Sequence, residues 1–174
     1  MRLTFHRMAD RRPVETLVER DDGAVFLMRG AGGGADLPHD LVHAVVETAL
    51  PLADGVWGCV ADGVVWGSMR HVSGRLPPHS AERSDRLKRE RRDAVLRAEH
   101  LADVVGRLAR DEEVLPHEVT GSGVPAERIG AAVTAVRDAA RRWAALPVGE
   151  RWVVEWTPPS GRPAARGARR RGRR

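Results

Sequence analysis

Residues Glu15–Met28 read ETLVERDDGAVFLM, and the way this stretch folds decides the architecture. Two apolar runs flank Asp21, Asp22 and Gly23, and an acidic pair followed by glycine suits a tight turn between two strands. The stretch therefore predicts a hairpin, and a hairpin makes the sheet antiparallel. Working outward, residues 2–6 predict a short strand before it. The glycine-rich run RGAGGGAD after it predicts a flexible loop. A helix follows from about Pro38 to Leu50, with Asp36 as its expected N-cap, Pro38 suited to the first turn and Pro51 marking the end. Residues 55–69, GVWGCVADGVVWGSM, suggest a second hairpin about Asp62-Gly63; a loop packed on its tryptophans is the alternative. Residues 71–80 read as a loop.

The most regular segment is residues 81–110. Leu87, Ala94, Leu101 and Leu108 recur every seven positions, with Ala98 and Val105 on the same face, which predicts one long amphipathic helix ending near Arg110. A further helix is expected from Pro125 to about Leu146, with Ile129, Val133, Val136, Ala140 and Trp143 as its apolar stripe. RWVVEW, residues 151–156, reads as a strand with Trp152, Val154 and Trp156 on one face. Strands first, helices in the middle and a late strand give an α+β fold. The expected arrangement is a small antiparallel sheet, a long antiparallel helix pair and one shorter helix. Residues 1–157 are expected to form one domain, with the tryptophans mostly in its core.

Composition narrows the function classes. The chain has 174 residues, enough for one domain with a real core. Cys59 is its single cysteine, which excludes an internal disulfide and a cysteine-based zinc cluster. No run is apolar enough to span a membrane, and charges stand where a signal peptide would carry its apolar stretch. The expectation is a soluble cytoplasmic protein without a membrane partner. The formal charge of +5, less the seven arginines among the last 14 residues, leaves −2 for residues 1–160. Residues 158–174 are therefore expected to be a disordered arginine-rich tail, having almost nothing apolar to bury. Residues 162–174 are its candidate nucleic-acid contact, through counterion release.

His39, Asp40 and His43 carry the sharpest chemical signal, within LPHDLVHAVVE, residues 37–47. The five residues HDLVH resemble the H-E-x-x-H signature of zinc metalloproteases, with Asp40 where that family has glutamate. The resemblance implies zinc on His39 and His43, with Asp40 acting on a metal-bound water. Residues i and i+4 of a helix lie about 6 Å apart along the axis and share a face, as two imidazoles on one ion require. Aspartate is one methylene shorter than glutamate, which argues against ordinary peptidase chemistry. Glu47 lies about 12 Å from His39 along the axis, too far to share an ion with it. A third ligand must come from His71, His79, His100, His117 or Glu99. On a helical wheel the apolar face is Leu41, Val42, Val45, Val46 and Ala49. His39 and His43 fall at its edge, where structural half-buried histidines also sit.

Weaker signals point nowhere specific. Residues 30–35 match G-x-G-x-x-[GA] but lack the helix opening and second parallel strand of a dinucleotide site. No serine has a nucleophile-elbow context, and Cys59 lies among apolar residues. Without a convincing catalytic set, the leading expectation is a regulatory module that binds a protein partner through residues 81–146. The runner-up is a metal site on His39 and His43, with Asp40 orienting a bound water. Non-specific nucleic-acid binding is third.

Overall fold

The structure, a computed structural model, describes residues 1–9, 14–30 and 36–158. Most of the glycine-rich loop and, from residue 159, the expected tail with its nucleic-acid contact lie outside the described residues. Five strands form one sheet: β1 (Arg2–His6), β2 (Glu15–Glu19), β3 (Val25–Arg29), β4 (Met69–Ser73) and β5 (Arg151–Glu155). Their order is β4-β3-β2-β1-β5, and every neighbouring pair is antiparallel. Six helices accompany them: α1 (His39–Ala49), α2 (Val56–Ala61), α3 (Ser80–Glu90), α4 (Arg92–Ala109), α5 (Pro116–Gly121) and α6 (Ala126–Ala145). This is an α+β fold.

The hairpin that decides the architecture forms as β2 and β3, with Leu17 opposite Leu27 and Val18 opposite Phe26. Its turn closes through Gly23 N–H to the Arg20 carbonyl at 3.0 Å, and Ala24 N–H donates to Asp22 Oδ1 at 3.1 Å. Gly23 takes φ of +84°, a conformation that disfavours other residues. The inner face of the sheet carries Leu3, Phe5, Val18, Phe26 and Met28. It packs on Leu41 and Ala44 of α1, Trp57 and Val60 of α2, and Trp143 of α6. A second cluster joins Val42 and Val46 of α1 and Leu50 at its C-cap to Leu101, Ala102 and Val105 of α4 and Ile129, Ala132 and Val136 of α6. Helix α1 thus contributes to both cores. Trp57, Trp143 and Trp156 are fully buried, and burying each contributes on the order of 2–3 kcal/mol.

Four expectations are corrected. Residues 55–69 are not a hairpin: Val56–Ala61 is helix α2, and only Met69 enters a strand. Residues 56–60 are buried without a break, not in the alternation of a half-exposed strand. Asp62-Gly63 acts as a helix stop, with Asp62 at the C-cap and Gly63 at φ of +109°. Residues 69–73, expected mostly as loop, pair with β3. The single helix over 81–110 is two, α3 and α4, broken at Arg91 with φ −108° and ψ 13°. Arg91 there reaches Asp62 at 2.5 Å and Asp54 at 3.5 Å, tying the break to the ends of α2. Finally, Asp36 does not cap α1. Pro38 holds the N-cap position, and its carbonyl accepts Leu41 and Val42 N–H at 2.9 and 3.0 Å.

Candidate metal centre

Helix α1 carries polar residues where a helix wedged between two cores would be expected to be apolar. Asp40, His43 and Glu47 are 7 %, 1 % and 0 % exposed. Burying such groups is costly unless each finds a partner. The correction to the helical wheel is therefore direct: His43 lies inside the protein, not at an apolar edge. His39, one turn earlier, is exposed at the rim, and its ring meets His43 edge-on with centroids 4.7 Å apart.

Glu47 is held at the start of α2. Trp57 N–H donates to both of its oxygens, at 3.2 and 3.1 Å, and Gly58 N–H donates at 3.3 Å. These are among the first N–H groups of α2, which have no partner within the helix, so the carboxylate serves as an internal cap. A Cβ on Gly55 would overlap the Glu47 carboxyl group, so glycine there permits the approach. A Cβ on Gly30 would likewise overlap Asp40. Trp57 Nε1–H donates to the Asp40 carbonyl at 2.9 Å, fastening α2 to α1 from the other side.

His43 stands between two carboxylates. Its Nε2 lies 3.1 Å from Glu99 Oε2 on α4, and its Nδ1 lies 3.8 Å from Glu47 Oε1. The second distance suits an ion pair but is too long for a hydrogen bond. Burial works against a charge on His43, but Glu47 and Glu99 outweigh it and push the imidazole up to about 9. Its hydrogen bond holds the Glu99 carboxyl below the ordinary range, despite partial burial. His39 is shifted the other way, by burial and by the neighbouring His43, so it is neutral at physiological pH. Asp40 rises to about 6, because burial outweighs the attraction of His43.

One nitrogen each from His39 and His43 and one carboxylate oxygen of Glu99 all lie within 4.8 Å of one another. Tetrahedral ligands about 2.0–2.1 Å from an ion sit roughly 3.3 Å apart, so closing the cluster needs only side-chain adjustment. His39 and Glu99 are both exposed and free to make it. Beside the cluster is a pocket of about 170 Å³, lined by His39, Asp40, His43 and Glu99 together with Met28, Val56, Trp66, Ser68 and Val95. The set amounts to two imidazoles and one carboxylate facing a space that can hold water or a small ligand. Three protein ligands with an open position is the pattern of a reactive metal site rather than a closed structural one.

Sequence reasoning left five candidates for the third ligand, and the structure brings Glu99 to the histidines. Three of the others have different neighbours: His71 meets the Gly74 carbonyl at 3.0 Å and His100 the Glu118 carbonyl at 3.0 Å, while His79 lies 3.9 Å from Glu82. Glu47, set aside on axial distance, does not line the pocket; it sits behind His43. Its capping role was missed because residues 55–69 were read as strand, which hid the helix it caps. No protein family, curated protein sequence or solved structure matches this chain. Among the described residues no helix is long and apolar enough to cross a membrane.

Proposed function

We propose that this protein binds one divalent transition-metal ion, zinc by the chemistry of its ligands, through His39, His43 and Glu99. The ion would offer its remaining coordination positions to the adjoining pocket. The observation that carries the reading is the convergence of three donor atoms from α1 and α4 within 4.8 Å. Imidazole and carboxylate ligands suit zinc, and two i, i+4 histidines present them from one helical face. Asp40 lines the same pocket and is the residue that would orient a metal-bound water, so hydrolysis is the reaction class for this site. Binding displaces the proton that His43 holds in the metal-free protein, because the ligand must be a neutral imidazole.

The protein-contact reading is less well supported. It rested on the amphipathic faces of residues 81–146, and Leu101, Ala102 and Val105 of α4 and Ile129, Ala132 and Val136 of α6 are spent against α1 and against each other.

Elemental analysis of the full chain tests the proposal, after zinc is offered and the excess removed. The expected result is one zinc per chain, lost in His39→Ala and in Glu99→Ala. Both residues are exposed, so neither substitution leaves a cavity in the core. A wild-type protein that retains no zinc overturns it.

A further inference from the structure

Resting on that reading, we propose that Glu47 is a positioning residue for the metal. It would accept the Nδ1 proton of His43 and so commit Nε2 to the ion. A ligating histidine commonly donates its second ring N–H to a carboxylate, which fixes the tautomer and ring orientation and raises ligand basicity.

Three observations place Glu47 in that position. First, Glu99, one of the other two donors, stands at Nε2 of His43, with its Oε2 3.1 Å away, and both residues line the pocket. Second, Nδ1 is buried and has no hydrogen-bond partner, and Glu47 Oε1 lies 3.8 Å from it. A shift of under about 1 Å, as Nε2 turned from Glu99 to the ion, would bring Nδ1–H within hydrogen-bonding reach. Third, Glu47 cannot follow a moving ring. Its oxygens are held by the N–H groups of Trp57 and Gly58, and its carboxyl group rests against Gly55. The contrast with Glu99 is physical. Glu99 is exposed and adaptable, as a ligand must be, whereas Glu47 is 0 % exposed and fixed, as an orienting group must be.

Two measurements on the full chain decide this, with zinc alone as the probe. Long-range ¹⁵N–¹H correlation of the zinc-loaded wild type, labelled in histidine, reports which ring nitrogen carries the proton. The expected signature is His43 with Nδ1 protonated and Nε2 on the metal; a metal-bound Nδ1 refutes the proposal. Zinc affinity of Glu47→Gln, by competition with a chromophoric chelator, should be about 10- to 100-fold weaker than wild type. An affinity within twofold in a folded variant also refutes it. Should Glu47→Gln fail to fold, the tautomer measurement decides alone. Should the wild type bind no zinc, the metal reading fails and this proposal with it. Should it bind zinc with Nδ1 of His43, only the role of Glu47 fails.

Discussion

Replacing Asp40 by asparagine should make this protein more stable at alkaline pH, and less so as the pH falls. Asp40 is 7 % exposed, and burial raises its carboxyl to about 6 from an ordinary 3.8. At about 1.4 kcal/mol for each pH unit, the ionised carboxylate costs the folded state about 3 kcal/mol. The sign follows from proton linkage. A raised carboxyl binds its proton more tightly in the folded than in the unfolded chain. The cost is therefore absent well below pH 3.8, grows between 3.8 and 6, and is complete above 6. Asparagine preserves the shape and removes the charge. The stability difference between Asp40→Asn and wild type should shift in favour of the variant by about 2–3 kcal/mol between pH 4 and pH 8, with roughly half of the change above pH 5. Urea unfolding of both proteins across that range, with a chelator present to keep the site metal-free, gives the difference directly. Groups that titrate alike in both proteins cancel. A difference that stays constant with pH would refute the argument, because it would mean that Asp40 titrates as an exposed carboxylate.

Other outcomes follow from the same packing. Loss of zinc in His39→Ala should come with a stability change within about 0.5 kcal/mol of wild type, as is usual for surface positions, measured by thermal unfolding without metal; Glu99→Ala also removes the hydrogen bond to buried His43 and should cost about 1–3 kcal/mol. Gly55→Ala places a methyl group against the Glu47 carboxyl and should cost about 1–3 kcal/mol in urea unfolding, by overpacking. A change under about 0.5 kcal/mol would mean that Glu47 does not cap α2 there. Cys59 is fully buried, and burial raises its thiol above the ordinary value. Thiol reagents should therefore label it only as fast as the protein opens; labelling at the rate of a free thiol would contradict that burial.

Local chemistry made much of the fold legible. The Asp-Asp-Gly turn announced β2 and β3, and the alternation in residues 151–156 announced β5. The stripe of Ile129, Val136 and Trp143 announced α6, and those three residues are indeed buried. Each of these signals sits within one element, where spacing and turn preference act directly on the backbone. Residues 55–69 read as strand because Val and Trp favour strands, but over so short a run that preference is weak and tertiary context overrides it. What decides for α2 is Glu47, nine residues before the helix begins, accepting the N–H groups that a strand would have offered elsewhere. The break at Arg91 was invisible for the same reason. The heptad runs straight through it, and the partners that mark it, Asp54 and Asp62, come from the ends of another helix.

For the candidate site, the amino-acid sequence alone determined that His39 and His43 share a helical face, that Glu47 cannot join His39 on one ion, and that a third ligand must come from elsewhere. These follow from the rise of an α-helix and need no fold. Only the tertiary structure decided that Glu99 is the acid standing beside the two histidines, that His43 is buried rather than at an edge, and that Asp40 lines a pocket. Those facts depend on how α4 lies against α1 and how α2 closes over its other side. Such placement is set by the burial of two separate apolar clusters, a sum over many weak contacts between residues far apart in the chain. A helix wheel assumes one buried face; α1 has two, so the polar residues between them are drawn inside and must be paired there.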